Sequence, residues 1–210
     1  MTETGQAAQV QSALDTLMMR RCIELSAAAI GKSEFPFAAV VARGGEVLVE
    51  AINEVARAGD VTRHAELVAV SRAQQVTGGK DLSDCTLYTT VEPCPMCAFP
   101  MRETRIGRVV FAIGSPMMGG YSRWNVLRDP DLSRVMPEAF GPVPEVIAGL
   151  LRKEAEKVWW RWNPLIWSVI KYRGCFGCET GPVEVQQLAA HPQRGAFLSR
   201  LFGLRHDHRA

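Results

Sequence analysis

No stretch of this chain is apolar for the ~18 residues that a membrane span needs. The N-terminal run MTETGQAAQVQSALD is polar and has no apolar core of the kind a secretory leader carries. Both absences point to a cytoplasmic protein with no membrane partner. Internal repeats and low-complexity blocks are missing, so a repeat array is excluded. Net charge is small: 24 Lys and Arg against 22 Asp and Glu leave +2. That balance neither demands nor excludes a nucleic-acid partner, and a basic patch can hide in it. Histidine is rare. Three of the four, His191, His206 and His208, sit in the tail, and His64 is the only one in the first 190 residues. Any chemistry in the body that needs an imidazole has this one candidate.

What is present is ordinary for a globular protein. The 210 residues are 47% hydrophobic and 22% charged, which suits one domain with an appended segment. A core of that size needs no disulfide scaffold. In a reducing compartment the six cysteines read as thiols or metal ligands.

Apolar periodicity outlines the elements. Leu14, Leu17, Met18, Cys22, Leu25 and Ala29 recur at helical spacing, so residues 12–30 read as an amphipathic helix stopped by Gly31. FPFAAVVARGGEVLVEAIN reads as two strands around a Gly-Gly hairpin turn. RHAELVAVSRAQQVTGG is a helix closed by glycines, CTLYTTV a short strand, and PCPMCAFPMRET a short helix with early prolines. RVVFAI and EVIAG are further strands. LLRKEAEKVWWRWN carries a stripe of Leu151, Ala155, Val158, Trp159 and Trp162, and Asn163-Pro164 caps one more helix through Tyr172. The order implies a sheet with helices on both faces, opening with an antiparallel hairpin.

Cys94 and Cys97, in VEPCPMC, pose the chemical question. A lone Cys-x-x-Cys is compatible with a redox pair, half a metal site or two buried thiols. His64 and Glu66 stand thirty residues upstream as His-x-Glu. Imidazole nitrogen and two thiolates suit tetrahedral zinc and leave a fourth position for water. Glu66 need not bind the metal, and a carboxylate there can shuttle a proton.

FPFAAVV, RHAEL, TLYTTVEPCPMC and RIGRVVFA together resemble the cytidine deaminase-like superfamily, closest in look to tRNA adenosine, guanine and cytosine deaminases. The likeness covers residues 12–113 well and 144–172 loosely. It implies an α/β protein: a three-layer α/β/α cytidine deaminase-like fold with a mixed five-stranded sheet, over residues 1–174, and a homodimer or larger oligomer. It also implies one Zn2+ per chain on His64, Cys94 and Cys97, with Glu66 as the catalytic acid–base, and hydrolytic release of ammonia from an amine-bearing ring. Asn53 and Phe37 stand at the family's substrate-binding positions, against the plainer readings of turn residue and core aromatic.

The expected substrate is a free nucleobase or nucleoside, cytosine or guanine in type, because net charge is low and 114–144 adds bulk after the fourth strand. A tRNA-specific adenosine deaminase is the alternative, and a non-catalytic zinc scaffold the alternative of another class; an intact Glu66 argues against the scaffold. Segment 114–144 departs from the named relatives. Gly119 and Gly120 read there as possible hinges, and Tyr121 or Trp124 as possible stacking partners of a ring. Arg63 is read either as a substrate contact or as an ion-pair partner. Cys22 and Cys85 read as buried thiols. Cys175 and Cys178, with His206 and His208 far downstream, fit no familiar zinc module, and the tail 175–210 has no assigned role.

Overall fold

The structure, a computed structural model, describes residues 3–177. In chain order its elements are α1 (Glu3–Ile30), β1 (Ala38–Arg43), β2 (Glu46–Ile52), α2 (Val55–Ala58), α3 (Ala65–Thr77), β3 (Cys85–Val91), α4 (Pro95–Glu103), β4 (Arg108–Ile113), α5 (Pro130–Val135), β5 (Glu145–Ala148), α6 (Arg152–Trp162) and α7 (Pro164–Tyr172). The strands form one sheet in the order β2-β1-β3-β4-β5. β1 pairs antiparallel with β2 and β3, whereas β3–β4 and β4–β5 are parallel. The sheet is therefore mixed, as the family resemblance implies.

Strand alternation builds the layers. Ala38, Val40 and Ala42 face a core shared with α1, α6 and α7, while Ala39 and Val41 face one shared with α3 and α4. The β1–β2 turn uses Gly44 and Gly45 at φ 56° and 88°, the left-handed pair that a tight hairpin demands. Trp159 anchors the α6 side, packed on Phe37, Trp162, Trp167 and Phe176, whereas Trp160 is exposed.

Three details differ from the periodicity reading. α1 begins at Glu3 rather than near residue 12, because Gln and Ala residues with no proline among them extend a helix already held by packing. Its buried face is Met18, Met19, Cys22, Ile23, Ser26 and Ala29, with Leu17 left exposed. Spacings of three and four allow two neighbouring faces, and docking on the sheet selects one. The expected connection 114–144 also contains α5. Cys178, His191, His206 and His208 lie outside the described residues. No helix among the described residues is long and apolar enough to cross a membrane.

The connection 114–144 is organised around Arg102 of α4, whose side chain is fully buried. Its guanidinium donates to the carbonyls of Gly141, Val126 and Asp129 and to Ser133 Oγ. Phe140 lies against it. One planar fork thus gathers four points of an otherwise irregular segment.

Asp15 ties α1 to the sheet. It accepts hydrogen bonds from Tyr88 Oη at 2.8 Å and from Arg108 Nη1 and Nη2 at 3.0 and 2.9 Å. Burial pushes its carboxyl up, but the bonds from Arg108, Tyr88 and Gln11 outweigh that and hold it below the usual range. A carboxylate with a depressed folded pKa stabilises the fold above its unfolded pKa and loses that contribution as pH falls through the folded one. D15N is therefore expected to cost about 2 kcal/mol at pH 7. In urea unfolding, its deficit against the wild type should narrow as pH drops below about 4; a deficit unchanged at low pH would contradict this account.

Candidate active site

Because β1 runs antiparallel to β3, the start of β1 and the ends of β2, β3 and β4 lie along one edge of the sheet. Phe37, Asn53, Glu92-Pro93-Cys94 and Gly114 meet there. Crevices at the C-terminal ends of parallel strands are where open α/β sheets bind ligands. α3 and α4 both start at this edge, with His64 and Cys94 as their N-caps. An N-cap side chain usually accepts from its own helix, but neither of these does. Both are free to turn to another partner, and Cys97 follows Cys94 by one helical turn.

The three side chains converge. Cys94 and Cys97 Sγ are 3.5 Å apart, and His64 Nδ1 lies 3.7 Å from Cys94 Sγ and 3.5 Å from Cys97 Sγ. A disulfide would need about 2.05 Å, so the two thiols are not bonded to each other. Tetrahedral zinc with Zn–S near 2.3 Å and Zn–N near 2.0–2.1 Å sets ligand atoms roughly 3.5–3.8 Å apart. All three separations match, so the donor set fits zinc without rearrangement.

The charges suit a cation too. The hydrogen bond from Cys97, with a further one from His64, lowers the Cys94 thiol to about 4. The same contact with Cys94, then burial, raises Cys97. Contact with Cys94 raises His64. A divalent ion bound there would stabilise thiolates at both sulfurs. Cys22 and Cys85 are buried thiols, as expected.

Glu66, buried in the first turn of α3, faces the cluster with Oε2 3.7 Å from Cys97 Sγ. Thr89 Oγ1 donates to its Oε1 at 3.2 Å. Burial raises its carboxyl to about 7, and negative charge at Cys94 adds to the shift. Asn53 is buried one residue past β2, and its neighbour Glu54 bonds through its backbone N–H to the carbonyl of Arg63, next to His64. Phe37 packs against Trp159 and Phe176 and borders both cores.

Several participants escaped the sequence reading. Thr89 reads only as a strand residue until the fold sets it under Glu66. Glu92 accepts from the backbone N–H groups of Ser115, Tyr121 and Ser122 at 2.7, 3.1 and 2.6 Å, and from Ser122 Oγ at 2.9 Å. It clamps the start of 114–144 to the residue pair before Cys94. Gly119 and Gly120 have a packing reason to be glycine. A Cβ on Gly119 would fall 1.9 Å from Glu92 Oε1, and one on Gly120 would fall 2.6 Å from the Ala98 Cβ. They are glycines because two chain segments touch. Tyr121 is packed on Phe111 with Arg128 over its ring, and Trp124 is exposed beneath Arg123. Arg63 turns to Glu54, which Arg57 and Arg72 also bind. Ser115 Oγ donates to the Cys175 carbonyl, and Gly177 bridges Gly114, bringing the chain after α7 back to this edge.

The sequence profile of the cytidine and deoxycytidylate deaminase zinc-binding region matches residues 12–113. The chain is 35% identical over 118 residues to a tRNA-specific adenosine deaminase of Aquifex aeolicus, covering 56% of this chain and 78% of that one. It is 47% identical over 77 residues to a guanine deaminase of Bacillus subtilis, covering 37% of this chain and 49% of the relative. A solved structure from a study of A-to-I editing by tRNA:A34 deaminases at the wobble position shares the fold. Its TM-score is 0.58 at 27% identity, over 67% of this chain and 97% of that one.

One zinc per chain follows from the ligand geometry. C94S is expected to lose most of it, read by elemental analysis of dialysed protein. Full zinc occupancy in that variant would place the metal elsewhere.

Proposed function

The chain belongs to the cytidine and deoxycytidylate deaminase zinc-binding family, and on that footing we propose that it is a hydrolytic deaminase acting on an adenine ring carried in tRNA, with release of ammonia. The observation that carries the chemistry is Glu66, buried beside a ligand triad it does not join. Zinc bound by His64, Cys94 and Cys97 would supply a Lewis acid that activates water near neutral pH. Glu66 accepts the proton given up by the attacking water and delivers it to the departing amine. Its burial favours the neutral carboxyl, which helps it hand on a proton that it has taken. Thr89 Oγ1 lies 3.2 Å from one carboxylate oxygen, while the other, Oε2, faces the sulfur cluster. Asn53 binds the ring, and Phe37 borders it.

Three considerations support the tRNA substrate. The tRNA deaminase of Aquifex aeolicus is matched over 78% of its length, whereas the guanine deaminase is matched over 49%. That second match runs over just 77 residues, a piece shorter than the 12–113 region that matches the family profile. The low net charge that favoured a free nucleobase or nucleoside is a whole-chain quantity. Locally, the guanidiniums of Arg57, Arg63 and Arg72 surround the single carboxylate of Glu54, adjacent to Asn53. All three guanidiniums are part-exposed, so they are donors that the phosphates of an RNA strand could meet, although Glu34 and Asp60 nearby balance the remaining charge. The free-base reading is thus the less supported one.

Two measurements test the proposal. An anticodon stem-loop with adenosine at the wobble position should yield inosine, while free bases and nucleosides release no ammonia. Ammonia from guanine or cytosine with an unreacted stem-loop would overturn it. E66A should keep its zinc and lose at least ~100-fold in turnover, the scale of a general acid–base residue. Near-normal turnover would assign the proton to another group.

A further inference from the structure

A second buried carboxylate stands behind the site, and the reaction does not use it. Glu34, in the loop between α1 and β1, is 1% exposed. Its Oε2 accepts from Asn53 Nδ2 at 2.7 Å and from the Ala56 backbone N–H at 3.2 Å. Its Oε1 accepts from the Arg57 backbone N–H at 2.7 Å. Burying a carboxylate costs several kcal/mol before its partners offset it. Satisfying the first turn of the four-residue α2 needs only the two backbone bonds. The bond to Asn53 has no part in that task.

Its consequence is directional. A carboxamide has a donor end and an acceptor end of nearly the same shape, and in an apolar pocket it can turn over. An ionised carboxylate only accepts. Against Glu34 the donor end is therefore the only stable choice. The flipped amide would set Asn53 Oδ1 against Glu34 Oε2, two acceptors with no proton between them. Asn53 is thus left with Oδ1 and one N–H for any other partner.

We propose that Glu34 is a positioning residue that fixes the Asn53 carboxamide, so that it meets the substrate ring with one acceptor and one donor in a set order. A base edge that offers a matching donor and acceptor is favoured, and an edge of two acceptors is disfavoured. This rests on the reading that Asn53 contacts the substrate.

The test is a double-mutant cycle on zinc-loaded full-length protein, using whichever of the anticodon stem-loop, free bases and nucleosides reacts. E34Q, N53A and E34Q/N53A are compared with wild type for kcat, KM and zinc content. E34Q should lower kcat/KM about tenfold, mainly through KM, with zinc unchanged. The double variant should match N53A within about twofold, because Glu34 has nothing left to orient. Penalties that multiply would show that Glu34 acts independently of Asn53 and would overturn the proposal, as would an E34Q with wild-type kcat/KM. An N53A of wild-type activity would also overturn it, yet would leave the deaminase assignment, which rests on Glu66, in place. If E34Q fails to fold, E34D, which retains the charge but shortens its reach, is read in the same cycle with the same expected coupling.

Discussion

Two helices have to begin at the same edge of one sheet with their capping side chains facing each other; the rest of the molecule serves that meeting. α3 brings His64 and Glu66, and α4 brings Cys94 and Cys97. The antiparallel β1–β3 pair sets the α3 side, and the parallel β3–β4 pair sets the turn that launches α4. Extended backbone at both caps (ψ 146° and 169°) lets the chain leave a loop and enter a helix with the side chain pointing across the gap. The partial positive charge of two helix N-termini favours thiolate over thiol at the place where a cation is to be held.

Buried charges keep the surrounding loops in place. Glu34, Glu92 and Arg102 are all buried, and each spends most of its hydrogen-bonding capacity on main-chain groups. A buried charge without partners is costly, so each of these loops is confined to the arrangement that satisfies its charge. Glu92 holds the loop after β4 against the ligand helix, Arg102 gathers the segment that follows, and Glu34 braces the turn carrying Asn53. Surface pairs such as Arg134 with Asp131 contribute little by comparison. The outcome is a preorganised rim built largely from irregular chain, which is where substrate selection is made.

The strand and helix order was legible because amphipathic periodicity and Gly/Pro punctuation are local properties. The hairpin at Gly44-Gly45, the glycine stop after Thr77 and the Asn163-Pro164 start all appear in the structure as read. The zinc donors were legible for another reason: thiolate, imidazole and carboxylate are uncommon together, and their spacing reflects two helix turns. The buried face of α1 was less legible, since the same spacing serves Leu17 or Met19 and only docking on β1 and β3 decides.

The sequence by itself pointed to the fold class, the three metal donors and the neighbouring acid, because its motifs resemble those of the deaminase family. Tertiary structure alone decided the rest. Gly119 is a close-contact residue because Glu92, 27 positions earlier, lies against it, and Gly120 because Ala98 and the Pro93 carbonyl do. Arg63 belongs to an ion-pair cluster because Glu54 gathers three guanidiniums at one place. Asn53 has a defined donor end because Glu34, remote in sequence, supplies a carboxylate that cannot donate. Hydrogen-bond direction and local charge are pairwise quantities, and the pairs exist only once the chain has folded.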